Sequence, residues 1–297
     1  MAGIPFVREV KFVYGEADQV SPLIRRVVAE NPGPFTYLGT GVYIIGRGEV
    51  AVIDPGPPLD AHFEALKRAL AGERVTHVFT THTHLDHSPL AHPLARWAGC
   101  KVYGTPDPAG TRDQVSLEED GEEGFAPDIV VKDGDVFTGP GWTLEAITTP
   151  GHMSNHVCYA LREENALFSG DHIMGWSTTV ISPPDGNMGD YYRSLDKVKA
   201  RGFATLWPTH GPPVTDANTF IDAYVAHRRA REAAILARLA AGDTLIVDMV
   251  RVIYKDVDTR LHPAAARSVL AHMIHLVEAG RVAADGPLEL STRYRPA

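Results

Sequence analysis

The stretch Thr81-His82-Thr83-His84-Leu85-Asp86-His87-Ser88-Pro89 decides how this chain reads. It follows residues 75–80, whose pattern predicts a strand, and Ser88-Pro89 reads as a helix N-cap with proline at the first helical position. In an extended segment residues two apart face the same way, so His82 and His84 can grip one ion while Asp86 and His87 enter the turn and face a neighbouring one. A single histidine is more often a packed or surface residue than a ligand, and His62, His77, His92, His172, His227, His262, His272 and His275 are read that way. Four candidate ligands in six residues are an odd choice for a loop without a metal. Three further candidates stand where separate predicted strands end: His152 in Pro150-Gly151-His152, Asp171 in Ser169-Gly170-Asp171, and His210 in Thr209-His210-Gly211.

Working outward, residues 42–53 alternate around Gly46-Arg47-Gly48 and predict a β-hairpin that Asp54-Pro55-Gly56 ends. Residues 59–70 carry helical spacing at Phe63, Leu66 and Leu70. Short apolar runs at 144–149, 157–161, 166–168 and 204–207 are cut by Gly or Pro, as in strands of a mixed α/β core. Between them Glu118, Glu119, Asp120, Glu122 and Glu123 predict a solvated surface loop. At His210 to Pro213 the composition changes: residues 220–239, 245–254 and 263–279 predict three helices and 281–292 a short hairpin, a winged-helix order. The expected division is 1–215 and 216–297.

The 297 residues, 44% hydrophobic and 22% charged, suffice for one large core and a small module. The formal charge of −9 argues against a globally basic nucleic-acid binder. It is unevenly placed: residues 216–297 hold eleven Arg/Lys against ten Asp/Glu, and residues 1–215 seventeen against twenty-seven. Two divalent ions would still make the site attractive to an anion. Cys100 and Cys158 are too few for a disulfide framework, and neither reads as a nucleophile. The start lacks the basic flank and long apolar stretch of a secretory signal, so a cytoplasmic, membrane-free protein is expected, as monomer or homodimer.

The run His82-Thr83-His84-Leu85-Asp86-His87 with Gly151-His152, Gly170-Asp171 and Thr209-His210-Gly211 resembles the metallo-β-lactamase superfamily. The resemblance implies an αββα sandwich with the site along one edge of the sheets. It places His82, His84 and His152 on one metal, Asp86, His87 and His210 on a second, and Asp171 between them, with Asp54 beside the ligands to orient an imidazole. Donors of this kind suit zinc, and iron or manganese also fit. Two ions on the order of 3.5–4 Å apart would lower the pKa of a shared water, hold it as a bridging hydroxide and polarise the group attacked. Asp86 or Asp171 can take up a proton during attack. His156 reads equally as a supporting or proton-donating histidine and as a satisfied one at a strand start. Trp176, Thr178, Thr179, Tyr192 and Arg193 follow Asp171 and can hold a phosphate or carboxylate, although a plain loop with caps explains them too.

Beyond the ligands, Gly170-Asp171-His172-Ile173-Met174-Gly175, Tyr191-Tyr192-Arg193-Ser194-Leu195 and the C-terminal His227-Arg228-Arg229-Ala230-Arg231-Glu232 are similar to the β-lactamase-like protein 2 family. That family includes endoribonucleases, so hydrolysis of a phosphodiester in single-stranded RNA is what the resemblance implies first. Arg228, Arg229, Arg231 and Arg238 could meet a phosphate backbone, although a charged helix face is more often only solvated. A small-metabolite thioester, ester or lactone hydrolase, with weak β-lactam turnover, is the alternative. A regulator with a structural metal site is the third reading.

Overall fold

In the computed structural model, which describes residues 3–108 and 121–297, two sheets pack face to face and helices cover both outer faces. The first sheet runs β1 (Ala17–Gln19), β2 (Ile24–Val28), β3 (Gly41–Arg47), β4 (Glu49–Ile53), β5 (Arg74–Phe79), β6 (Lys101–Gly104) and β7 (Ile129–Val130), in sequence order. It is antiparallel as far as β4 and parallel from β4 onward. The second is ordered β12 (Thr205–Pro208), β11 (Ala166–Gly170), β10 (Val157–Leu161), β9 (Trp142–Thr148) and β8 (Val136–Gly139), with only β11 and β12 parallel.

The hairpin β3–β4 shows why the strands are apolar on both faces. Tyr43, Ile45, Ala51 and Ile53 point between the sheets, where they meet Phe79, Trp142, Tyr159, Phe168 and Trp207. Val42, Ile44, Val50 and Val52 point outward onto α1 (Asp60–Ala69) and α2 (Ala91–Ala98). On the far side, Ile147, Cys158, Ala160 and Leu167 pack on α3 (Met188–Arg201) through Tyr191, Leu195 and Val198. The four layers are helix, sheet, sheet and helix, as expected.

Two local expectations fail. Ser88 is not an N-cap: α2 starts at Ala91 with Leu90 in that position. The ligand loop closes its own turn first, with the His87 and Ser88 amides donating to the His84 carbonyl, and Ser88 Oγ donates to Glu122 at 2.7 Å. The last hairpin is wider than predicted. β13 (Val282–Ala284) pairs with β14 (Tyr294–Pro296), because Tyr294, fully buried, supplies the apolar anchor that the polar residues before it lack.

Helix α4 (Ala217–Ala240) belongs to two cores. Phe220, Ile221 and Tyr224 lie in the layer around α3, whereas Ile235 and Leu239 pack with α5 (Ile246–Ile253), α6 (His262–Glu278) and the last hairpin.

Gly46 sets how closely the hairpin approaches the opposite sheet: its φ is 89°, and an added Cβ would meet Trp142 Cδ1 at 2.4 Å. Gly46→Ala is expected to destabilise the fold by about 1–3 kcal/mol from overpacking, with the left-handed backbone adding to that. Gly48→Ala (φ 74°) has nothing within 4 Å of its Cβ and reports the backbone cost alone. Urea denaturation of both variants checks the ranking; equal losses would mean the Trp142 contact costs nothing.

Candidate metal centre

The candidate ligands stand in the segments that follow strand ends, all at one edge of the sandwich. β5 leads to His82, β9 to His152, β11 to Asp171 and β12 to His210, while β4 leads to Asp54. Three overlapping groups result: His82, His84 and His152; His82, His87 and Asp171; and Asp86, His87 and His210, each with its ligand atoms within 4.8 Å of one another. Such groups can bind metal ions. His84 Nδ1 lies 2.9 Å from His82 Nε2 and 3.2 Å from His152 Nε2. Asp86 lies 2.9 Å from His210 Nε2 and 3.3 Å from His87 Nε2. The Asp171 carboxylate sits between the groups, 3.5 Å from His210, 3.7 Å from His87 and 3.9 Å from His152.

The rings are aimed from behind. His87 Nδ1 donates to Asp54 at 2.9 Å, His152 Nδ1 to the Val180 carbonyl at 2.7 Å, and His210 Nδ1 to the Gly39 carbonyl at 3.2 Å. These partners only accept, so Nδ1 carries the proton and Nε2 faces the centre. His82 Nδ1 donates to Thr81 Oγ1 at 3.0 Å, because that hydroxyl gives its own proton to Asp54 at 2.8 Å. Asp54 is fully buried and also accepts from the Thr81 amide at 2.7 Å and Thr209 Oγ1 at 3.0 Å. One carboxylate thereby ties together the ends of β4, β5 and β12. It does so from a left-handed backbone, φ 50°, which aspartate tolerates better than most residues.

The centre fits a cation. His87 Nε2 and Asp171 Oδ1 are buried with no hydrogen bond among the described residues, although each has oppositely polarised neighbours within 4 Å. Buried polar atoms left unpaired cost roughly 1–3 kcal/mol each, a cost that a shared ion removes. Burial works to strip the proton from His87, but Asp86, Asp171 and Asp54 outweigh it and raise its pKa well above the usual histidine value; His210 is raised by Asp171 and Asp86 in the same way. Burial and the His152 imidazole push His84 down to about 3, and burial with His87 and His84 holds His82 well below its ordinary value. Burial opposes ionisation of Asp86 and Asp171, yet His87 and His210 keep both carboxyls below the carboxylate range. The carboxylates thus favour positive charge beside them, which a proton or a divalent cation would supply.

His156 is 1% exposed, with Nδ1 on Thr149 Oγ1 at 2.8 Å and Nε2 accepting the Asp171 amide at 3.2 Å. Of the five residues expected to touch substrate, Trp176 stands beside the centre. It stacks on Tyr37 with centroids 4.6 Å apart and seats against Gly211, next to His210. The Thr179 hydroxyl is turned inward to the Asp171 carbonyl at 2.8 Å. Thr178 is half-buried, and its carbonyl accepts from Ser177 Oγ at 3.4 Å. Tyr192 gives its hydroxyl to Glu232 at 3.1 Å between α3 and α4, and Arg193 is exposed and paired with Asp190.

Several supporting residues escaped the sequence reading. Thr81 and Thr209 each immediately precede a ligand histidine, a signal that was available. Glu122 sits in the acidic run expected to be solvated, yet it accepts from Ser88, its amide donates to the Thr83 carbonyl at 2.6 Å, and the adjacent Gly121 bridges His84. Glu118, Glu119 and Asp120 lie outside the described residues.

A family model described as the Metallo-beta-lactamase superfamily matches residues 37–210, and one described as the Beta-lactamase associated winged helix domain matches residues 246–287. The chain belongs to the metallo-β-lactamase superfamily. This superfamily hydrolase is 31% identical over 264 residues to Beta-lactamase-like protein 2 homolog of Caenorhabditis elegans, covering 85% of this chain and 83% of that protein. It is 32% identical over 234 residues to Atrochrysone carboxyl ACP thioesterase of Aspergillus fumigatus, covering 75% and 67%. Its fold is that of a beta-lactamase domain protein from Burkholderia ambifaria (TM-score 0.80, 21% identity, 97% of this chain and 96% of that one). A metallo-beta-lactamase family protein from Thermus thermophilus shares it too (TM-score 0.76, 23% identity, 94% and 100%). Among the described residues, no helix of the enzyme is long and apolar enough to cross a membrane.

Replacing Asp54 with Ala in this metallo-β-lactamase superfamily enzyme removes the acceptor for His87 and the Thr81 relay. Divalent-metal affinity is expected to fall about 10–100-fold. Competition against a chromophoric chelator checks this, and unchanged affinity would show that the imidazoles hold their orientation without it.

Proposed function

We propose that this chain is a dinuclear metal-dependent hydrolase, with zinc as its resident ion, acting on a carboxylic thioester. The observation that carries the dinuclear reading is the overlap of the ligand groups: His82 and His87 each belong to two of them, and Asp171 lies between. His82, His84 and His152 would hold one ion and Asp86, His87 and His210 the other, with Asp171 shared. Bound there, two divalent ions supply Lewis acidity toward the carbonyl and a water acidic enough to attack it near neutral pH.

The chain's own share of the chemistry is positioning and proton handling. Asp171 or Asp86 would take the proton as water adds to the acyl carbon, Asp171 being the more exposed, at 11% of its side chain against 5%. The carbon–sulfur bond then breaks, and the thiolate leaves and collects that proton. His156 supports Asp171 through the backbone, and both its ring nitrogens are engaged, so the reading gives it no proton-donating role. Tyr37 and Trp176 form an apolar wall beside His210.

The phosphodiester reading came first from the resemblance, with four arginines of α4 as partial support; the structure takes up Arg228 and Arg238 and leaves Arg229 exposed. Arg228 is buried with its guanidinium on the Thr179 carbonyl. Arg229 lies over the Tyr192 ring, Arg231 over Tyr254, and Arg238 pairs with Asp243 at 2.6 Å. With Arg228 buried and Arg238 paired, α4 offers a weaker cationic face than its sequence suggests, and the thioesterase named among the relatives points toward an acyl substrate.

The test is hydrolysis of acyl thioesters by protein of measured metal content, run beside a lactone, a chromogenic cephalosporin and a fluorescent single-stranded RNA. Thioester turnover is expected, abolished by chelation and reduced at least about 100-fold, roughly 2.7 kcal/mol, by His82→Ala. RNA cleavage with no thioester turnover would return the phosphodiester reading.

A further inference from the structure

Arg228 is 3% exposed in the middle of α4, and burying a guanidinium is costly unless its donors are used. Its Nη2 donates to the Thr179 carbonyl, its Cζ lies 5.3 Å from the Tyr191 ring centroid, and its Nε has no partner among the described residues. The segment it grips supports the metal centre twice. Thr179 Oγ1 lies 2.8 Å from the Asp171 carbonyl and 3.0 Å from the His172 carbonyl, its one proton shared between them. The next residue, Val180, offers the carbonyl that takes the His152 Nδ1 proton at 2.7 Å. Tyr191, under the guanidinium, donates its own hydroxyl to the His172 carbonyl at 2.7 Å. A methionine would fill the same length without a buried charge; what it lacks is the donor that fixes the Thr179 carbonyl.

One turn along the same helix, Glu232, 2% exposed, gathers Tyr192 Oη at 3.1 Å, His275 Nδ1 at 3.0 Å and His272 Nδ1 at 3.5 Å. It thereby links α4 to α3 and α6. Arg267 of α6 reaches the same loop further on, donating to the Pro183 carbonyl at 3.2 Å. The segment between Asp171 and α3 is consequently held on one side by the sheet edge and on the other by C-terminal helices.

We propose that Arg228 is a positioning residue through which the C-terminal helices hold Asp171 and His152 in ligand geometry. This rests on the ligand set proposed above. Its effect runs along one chain, from guanidinium to Thr179 carbonyl, and from that residue's hydroxyl and its neighbour's carbonyl to two ligands. The C-terminal region is then part of the metal centre's support.

The experiment uses the full chain, stripped of metal and titrated with zinc against a chromophoric chelator, with the melting temperature of the metal-free form measured alongside. Arg228→Met and Thr179→Val are each expected to weaken zinc binding about 10–100-fold. The double variant is expected to bind no more weakly than Arg228→Met, because both changes cut one chain. Arg228→Lys, which keeps a donor, should recover part of the loss. Leu276→Ala, in the C-terminal core, should lower the melting temperature and leave zinc affinity unchanged. Unchanged affinity in Arg228→Met and Thr179→Val, or an equal loss in Leu276→Ala, would overturn the proposal. Should Arg228→Met not fold, Thr179→Val decides by the same criterion. A wild-type chain that binds no zinc would instead refute the ligand set itself.

Discussion

Four hydrogen bonds converge on the buried carboxylate of Asp54, and the arrangement of the site depends on them. They join the end of β4 to the Thr81 amide and hydroxyl after β5 and to the Thr209 hydroxyl after β12, across the two sheets. A buried carboxyl group is tolerable only when its lone pairs are filled, so Asp54 fixes where its donors stand. Two of those donors lead directly to ligand rings: His87 gives Asp54 its Nδ1 proton, and Thr81 relays the orientation to His82. The sheet edges are thus locked by the same atoms that aim the imidazoles.

Around that lock the protein concentrates groups that cannot be comfortable alone. Two carboxylates and five imidazoles share a space nearly closed to water, and their proton affinities divide accordingly, raised at His87 and His210 by the carboxylates and lowered at His82 and His84 by burial. The acceptor-only partners behind His87, His152 and His210 hold a proton on each Nδ1 and turn Nε2 toward the centre, the nitrogen a cation would take. Rigidity comes from the aromatic layer between the sheets, where Tyr43 and Tyr159 are fully buried and each hydroxyl caps a strand-end carbonyl, of Pro208 and Thr80.

The second half of the support comes from a part of the chain with no candidate ligand. The segment from Asp171 to α3 has few regular hydrogen bonds of its own, and side chains supply what a strand would otherwise give: Arg228 and Arg267 from the C-terminal helices, Tyr191 and the Asn187 cap from α3. Of the basic residues of α4, which in sequence look like a cationic face, Arg228 is buried on a carbonyl and Arg238 pairs with Asp243, while Arg229 and Arg231 lie over rings and Arg229 stays exposed.

Much of the fold and the ligand cluster was legible in the sequence because both are written in local pattern. The alternation around Gly46-Arg47-Gly48 gave β3 and β4, and the spacing of His82, His84, Asp86 and His87 announced a cluster that no core or surface role explains. The convergence of His152, Asp171 and His210 on that cluster was expected from resemblance, and the geometry comes from strand ends that meet only when the sheets pack. What local pattern could not carry was the use of each polar side chain. Ser88 reads as a helix cap but serves Glu122; Thr179 and Tyr192 read as substrate groups but bond to the Asp171 carbonyl and Glu232; Arg228 reads as a solvated cation but is buried. By itself the sequence determined the periodicities and the donor types, which are properties of neighbours along the chain. Tertiary structure alone decided which donor meets which acceptor, because those partners lie 8 to 49 residues apart and a hydrogen bond is set by distances of a few tenths of an ångström that only packing fixes.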